Sequence, residues 1–145
     1  MQLPTLSPPL MLLAVICITA AAALAWRITR RRQRRVLGQL AREWNMHYTA
    51  RDVFSLAPRV AHRLPVVGAA DVRVFDLIYG SDQAGLQYIF CAEYTSGVIR
   101  SKSRRRCVVS VMEQKASGQI DWATLRIAEP ELPLLGQYRS LREGA

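Results

Sequence analysis

The chain begins with an apolar stretch that only a membrane or a fully apolar core can accommodate. Residues 10–26 are apolar apart from Thr19, and no charged side chain precedes Arg27. As a helix this stretch reaches roughly 25 Å, slightly less than the hydrocarbon thickness of a bilayer. We therefore predict a short transmembrane helix, extended by Pro8 and Pro9 in its first turn or by snorkelling of the arginines that follow. A buried core helix is the alternative, but such a helix seldom lacks a polar face.

A block of arginines directly follows the apolar stretch. Its members are Arg27, Arg30, Arg31, Arg32, Arg34 and Arg35. Basic residues beside a membrane span stay in the cytoplasm, so we expect residues 1–26 to form an outside segment and the span, with everything after them inside the cell. A secretory signal peptide has the opposite order, with its positive charge before the apolar stretch. Cleavage near the alanines at residues 20–23 is the remaining alternative.

Composition limits the rest of the chain to one ordinary folded domain. Half of the 145 residues are hydrophobic, which excludes disorder throughout, and only three are Cys, which excludes a disulfide-stapled secreted module. The 20 basic residues exceed the 11 acidic ones and give a net charge of +9. This excess is concentrated at the arginine block and in one later segment, so the chain is not basic everywhere.

Residues 27–50 have the pattern of an Arg-rich neck that continues into an amphipathic helix. Leu37, Leu40 and Trp44 recur at three- and four-residue spacing among polar residues. We expect this stripe, with Trp44 as its anchor for packing or docking, to cover the domain that follows. The same stripe could instead lie along the membrane surface as an interfacial helix.

The remaining sequence predicts an α+β fold with a small antiparallel meander in a domain at residues 51–130, followed by a tail at 131–145. The four predicted strands are residues 72–79, 86–94, 107–113 and 120–128. We expect one face of this sheet to carry Phe75, Leu77, Tyr79, Tyr88 and Phe90, under the helix that bears Trp44. Asp76 and Glu93 are predicted to point to solvent, Asp52 to cap a short helical turn, and residues 134–145 to form a short helix or a loose tail.

Several of these features resemble uncharacterised bacterial single-pass membrane-anchored proteins with a small cytoplasmic α+β domain of unknown function. The features are the anchor and basic neck, the HYTARD stretch at residues 47–52, the Leu-Ile-Tyr-Gly stretch at 77–80 with Gly85 after it, the aromatic strand ending in Tyr94, and the Cys-Val-Val strand from Cys107. The resemblance covers residues 36–130. It implies a fold and a location in the bacterial inner membrane, and it implies no mechanism.

The sequence offers no recognisable catalytic set, metal site or cofactor motif. His47 and His62 have no second ligand at metal-binding spacing. Cys91 and Cys107 fall in strands that a meander makes adjacent, and we interpret them as small buried hydrophobic residues in preference to a redox pair. The glycines at 80 and 85 lack the Lys and Ser or Thr of a phosphate-binding loop. We therefore predict no enzymatic activity, no metal and no cofactor.

A second group of cations is the strongest candidate for a contact site. We predict that Arg100, Lys102, Arg104, Arg105 and Arg106 lie in a polar loop at residues 95–106. Clustered cations repel one another unless something anionic is near, so they are candidates to contact anionic lipid, an acidic partner or nucleic acid. The alternative is a solvated loop that has no binding partner. Nucleic acid ranks low because the aromatic residues that could stack on bases fit a core equally well.

These observations predict a membrane-anchored, non-enzymatic binding or scaffold module held near anionic lipid. The alternative is an accessory subunit whose sheet edge, or whose surface around Trp44, docks onto another membrane protein. Nucleic-acid binding and an unidentified enzymatic activity rank below both.

Overall fold

The fold is α+β, with a long N-terminal helix and one antiparallel sheet, in a computed structural model that describes residues 8–64, 70–81, 85–97 and 103–144. The chain divides into two compact units after Val36. The helices and strands in chain order are α1 (Pro8–Glu43), β1 (His47–Arg51), α2 (Leu56–Val60), β2 (Ala70–Ser81), β3 (Gly85–Ser96), β4 (Ser103–Gln114), β5 (Ile120–Ile127) and α3 (Leu134–Glu143). Each strand pairs with the next along the chain in the order β1-β2-β3-β4-β5. The predicted meander is confirmed, but the sheet has five strands where we expected four.

Helix α1 runs through the apolar stretch and the arginine block without a break, and its first turn contains Pro8 and Pro9. It ends earlier than the predicted neck helix. Asn45 adopts a left-handed conformation with φ 56°, and the amide of Met46 donates to the carbonyl of Ala41 over 2.8 Å. This is a Schellman-type end, for which Asn is a favoured residue, and it turns the chain into a strand.

Strand β1 is the element that the sequence prediction missed. It pairs antiparallel with β2, with Tyr48 opposite Ile78 and Arg51 opposite Phe75. The hydrophobic spacing that suggests a helix up to residue 50 continues by coincidence through Met46 and Tyr48, which are the first apolar residues beyond the turn. Residues 47–51 are therefore extended and add one strand to the edge of the sheet.

The first face of the sheet packs beneath α2 and its flanking residues. The buried members of this cluster are Leu56, Val60, Leu64, Val74, Leu77, Tyr88, Phe90, Ala92, Val109, Val111 and Ile120. The backbone amides of Leu56 and Ala57 each donate to the carboxylate of Asp52 over 2.8 Å, so Asp52 caps the first turn of α2 as predicted. Trp44 and the last turns of α1 pack on the opposite face and do not cover this one, which corrects the predicted packing.

The second face packs beneath the last turns of α1 and beneath α3. Its buried members are Leu37, Leu40, Ala41, Met46, Ile78, Ile89, Val108, Ala128, Tyr138 and Leu141. The sheet is thus covered on both faces, and residues 134–143 form a packed helix.

An irregularity in β2 explains why Phe75 does not join the aromatic face that we predicted. The pairing of β2 with β3 shifts between Phe75 and Ile78, and Asp76 has a φ of 51°. Val74 and Leu77 both belong to the first cluster although they are three residues apart, which requires one extra residue between them. Phe75 lies opposite Cys91 instead, on the second face.

Candidate functional site

The apolar half of α1 has the character of a membrane span. It is long and apolar enough to cross a bilayer, and none of its most apolar window is buried. A signal sequence near an N-terminus has the same character. Arg27, Arg31 and Arg32 follow it on exposed turns of the helix, as do Arg34 and Arg35. The guanidinium of Arg30 lies 5.7 Å from the centre of the Trp26 ring.

We expected the second group of cations, at residues 100–106, to lie in a loop, and the structure corrects this in part. Strand β4 begins at Ser103, so Arg104, Arg105 and Arg106 are consecutive strand residues, opposite Thr95, Tyr94 and Glu93 of β3. All three are exposed. Arg100 and Lys102, the other two predicted members, lie outside the described residues.

This part of β4 extends beyond its neighbour β5. The first pair between the two strands is Val109 with Ile127, and the amide of Ala128 donates to the carbonyl of Val108 over 2.9 Å. Residues 103–107 therefore have β3 on one side and no strand on the other within the part of the chain that the structure describes. We call residues 103–107, with their three arginines, the arginine edge.

One carboxylate partly neutralises the arginine edge. The Oε2 of Glu93 lies 2.7 Å from Nε of Arg106, and its Oε1 lies 3.6 Å from a guanidinium nitrogen of Arg104. Arg106 also stacks over the ring of Phe75 at 5.4 Å. Arg105 has no ion pair with any described residue. The edge therefore keeps a net positive charge that is open to solvent.

A crevice lies beside the arginine edge. Its volume is about 410 Å³. It is lined by Tyr94, Arg105, Arg106, Cys107, Ile127, Ala128 and Pro130. Ile127 is 38% exposed, which leaves apolar surface next to the cations. The site thus combines positive charge, apolar surface and an open strand edge.

Trp44, the predicted packing or docking residue, is half-buried. It packs against the second cluster together with Tyr48, Leu134 and Leu135. Trp44 belongs to this cluster and not to the arginine edge, so the structure does not bring these two predicted site features together.

A polar group beneath α2 is the clearest hydrogen-bonded set on the first face. The hydroxyl of Tyr88 donates to Oε2 of Glu113 over 2.9 Å, and Arg59 of α2 donates to the same oxygen over 3.1 Å. Burial, and then the Glu113 carboxylate, raise the pKa of Tyr88 to about 12. The set connects α2 to β3 and β4, and we interpret it as structural.

A second buried polar group surrounds Asp76, which we predicted to face solvent. Asp76 is only 1% exposed. The hydroxyl of Tyr48 donates to its Oδ1 over 2.7 Å, and that of Tyr138 donates to its backbone carbonyl over 2.6 Å. The prediction was wrong because residues of α1 and α3 pack on this face, and simple alternation along a strand cannot show that the second face is also buried.

The two strand cysteines are separate thiols. Cys107 lies opposite Ala92, so Cys91 and Cys107 point to opposite faces of the sheet. Burial raises the pKa of Cys91 to about 12 and that of Cys107 to about 11, which disfavours the reactive thiolate. The ring of His47 lies against that of Tyr79 at 5.3 Å, and no cluster of three or more metal-ligating side chains occurs among the described residues.

A smaller cavity of about 180 Å³ lies where the β4–β5 pairing shifts. Gln87 and Ser110 line it, with Thr124 and Arg126. Arg142 of α3 donates to Gln87, whose amide donates to Ser110 over 3.4 Å, so these two lining side chains already have partners.

No protein family, curated protein or solved structure matches this chain.

Proposed function

We propose that this protein is a single-pass inner-membrane protein whose C-terminal α+β domain is a non-enzymatic, cytoplasmic binding module for anionic ligands near the membrane surface. The observation that carries the proposal is that one chain contains an exposed apolar helix and two groups of exposed arginines, one beside the span and one on the arginine edge. A permanent anchor keeps such a module close to anionic headgroups, which attract each nearby cation by about 1 kcal/mol.

Anchoring is tested on the full-length chain expressed in bacteria. We expect the protein to resist alkaline carbonate extraction and to retain residues 1–26 by intact mass. A signal sequence that is removed would give a shorter mature chain that leaves the membrane fraction. That result would overturn the anchor, which is the first half of the proposal.

Binding by the arginine edge is tested in nanodiscs that contain the full-length protein. Replacing zwitterionic lipid with lipid that includes anionic headgroups should slow hydrogen exchange at residues 103–107. The combined variant Arg104→Gln, Arg105→Gln and Arg106→Gln should lose this slowing. The matched control changes three exposed arginines elsewhere, Arg42, Arg51 and Arg139, and should keep it. Equal exchange in both lipids would exclude headgroups as the ligand of this edge.

A second candidate function is that of an accessory subunit for another membrane protein. The observation that favours it is the open side of β4, because an unpaired strand edge is a common place for one protein to add a strand to another. In this case the ligand of the arginine edge is a protein, and the anchor restricts the choice of partner to the same membrane.

A further inference from the structure

We propose that the arginine edge binds an extended segment of a partner protein as an added β-strand, and that this segment alternates acidic and apolar residues. This inference rests on the proposed function and specifies its ligand.

The backbone direction of β4 shows which groups are open. The carbonyl of Val108 accepts from Ala128, and the amide of Met112 donates to the hydroxyl of Thr124, so even-numbered residues direct their amide and carbonyl groups toward β5. Backbone groups alternate along a strand. Arg104 and Arg106 therefore present their amides and carbonyls on the side that β5 does not reach. No described residue pairs with those groups there.

The side chains of this edge differ between the two faces. Arg104 and Arg106 lie on the face that carries Glu93, as both of their ion pairs show. Arg105, Cys107 and Ile127 lie on the other face with Tyr94, and these four residues supply most of the lining of the crevice, to which Arg106 and Ala128 also contribute. A strand added here would place alternate side chains against the two arginines and the others against the partly apolar crevice. Acidic and apolar residues in alternation fit this pattern.

The charges select the partner. Exposed cations on an edge strand commonly protect it against unwanted pairing. They disfavour burial of the edge against a neutral strand, and they repel basic segments. They attract an acidic strand, whose carboxylates can pair with the arginines in addition to Glu93. Glu93 is mostly covered, with 13% of its side chain exposed, and it serves both Arg104 and Arg106, so the two cations share one carboxylate. An incoming acidic strand supplies the missing charge.

The test uses the full-length protein in zwitterionic nanodiscs, where anionic headgroups cannot compete. The probe is a fluorescent capped peptide of alternating Val and Glu. The control peptide has the same composition with all Val before all Glu. We expect the alternating peptide to bind at least about fivefold more tightly than the control, since only it can pair and satisfy both faces together.

Two protein variants separate strand addition from simple charge attraction. Arg104→Gln and Arg104→Pro remove the same charge, but only Pro also removes an amide that points to the open side. Proline is tolerated on an edge strand. We expect Arg104→Pro to weaken binding of the alternating peptide by a further factor of about three relative to Arg104→Gln. Near-ultraviolet circular dichroism of both variants checks that the fold is unchanged.

A third variant is predicted to improve binding. Glu93→Gln removes the internal competitor for Arg104 and Arg106, so the acidic peptide should bind about threefold more tightly. Equal affinity for the two peptides, with no difference between Arg104→Gln and Arg104→Pro, would overturn strand addition and leave the proposed anion-binding function intact. Failure of both peptides to bind, together with no effect of anionic lipid on exchange, would remove the binding function as well.

Discussion

At the scale of single residues, burial of the Tyr88 phenol, together with the neighbouring Glu113 carboxylate, makes the domain less stable at alkaline pH. The folded-state pKa of Tyr88, about 12, lies above its ordinary value of 10.0. Folding therefore favours the protonated phenol. This contribution to the free energy of unfolding is complete below pH 10 and is lost as the pH rises toward 12.

We expect Tyr88→Phe to lose that part of the alkaline dependence. The measurement is urea unfolding of the detergent-solubilised protein from pH 8 to pH 12, followed by tryptophan fluorescence. The native protein should lose on the order of 2 kcal/mol more over this range than the variant. Cys91 and Cys107 also have raised pKa values, so the difference between the two proteins is informative and the absolute slope is not. Parallel curves would show that Tyr88 does not titrate in this way.

Asp76 meets two structural requirements. Its buried carboxylate accepts a hydrogen bond from the Tyr48 hydroxyl, and its backbone adopts a positive φ of 51°. Asn preserves a side-chain oxygen and tolerates this backbone conformation, whereas Ala does neither. We expect Asp76→Ala to lower the free energy of unfolding by about 2–4 kcal/mol and Asp76→Asn by clearly less. Chemical denaturation of the two variants measures this. A cost for Asn equal to that for Ala would show that the charge, and not the acceptor or the backbone, is what Asp76 contributes.

At the scale of elements, α3 is part of the core and not a loose tail. Leu141 is 4% exposed and Tyr138 is fully buried against the second face of the sheet. Leu141→Ala should lower the free energy of unfolding by about 2–4 kcal/mol, because it leaves a cavity between α3 and the sheet. Arg139→Ala, at an exposed position of the same helix, is the matched control and should change it by less than about 0.5 kcal/mol. Similar costs for the two would mean that α3 does not support the sheet.

The strands that the sequence predicts correctly are those with a continuous apolar or aromatic pattern. Residues 72–79 and 86–94 alternate strongly enough to indicate a hairpin, and β2 and β3 contain them. Strand β1 has only Tyr48 as a large apolar residue, and the left-handed turn at Asn45 that separates it from α1 has no unique sequence signal. Its pairing with β2 depends on contacts distant in sequence, which local patterns cannot report.

The arginine edge shows the same limit at the candidate site. Three consecutive arginines and nearby polar residues are typical of a loop. The intrinsic β-propensity of these residues gives no reason to predict a strand. The strand forms because Glu93 and Tyr94 of β3 provide partners for Arg106 and Arg105 across the ladder. The cations were identifiable from composition, but their position on an open edge depended on where β5 ends.

At the scale of the whole molecule, the distribution of charge along the chain sets its expected orientation in a membrane. Six arginines follow the apolar stretch and no charged residue precedes it. The proposed topology therefore rests on this asymmetry alone, and reversing the asymmetry should reverse the topology. The variant that tests this replaces the six neck arginines with Gln and introduces Gln2→Arg, Thr5→Arg and Ser7→Arg.

A C-terminal epitope tag reports the orientation. In intact spheroplasts, external protease should spare the tag of the native chain and digest that of the charge-reversed variant, while inverted vesicles should give the opposite result. The control carries only the six Gln substitutions and should show a mixture, because it lacks a charge bias on either side. Digestion of the native tag in spheroplasts would place the arginine edge outside the cell, and its anionic ligand would then have to be sought there.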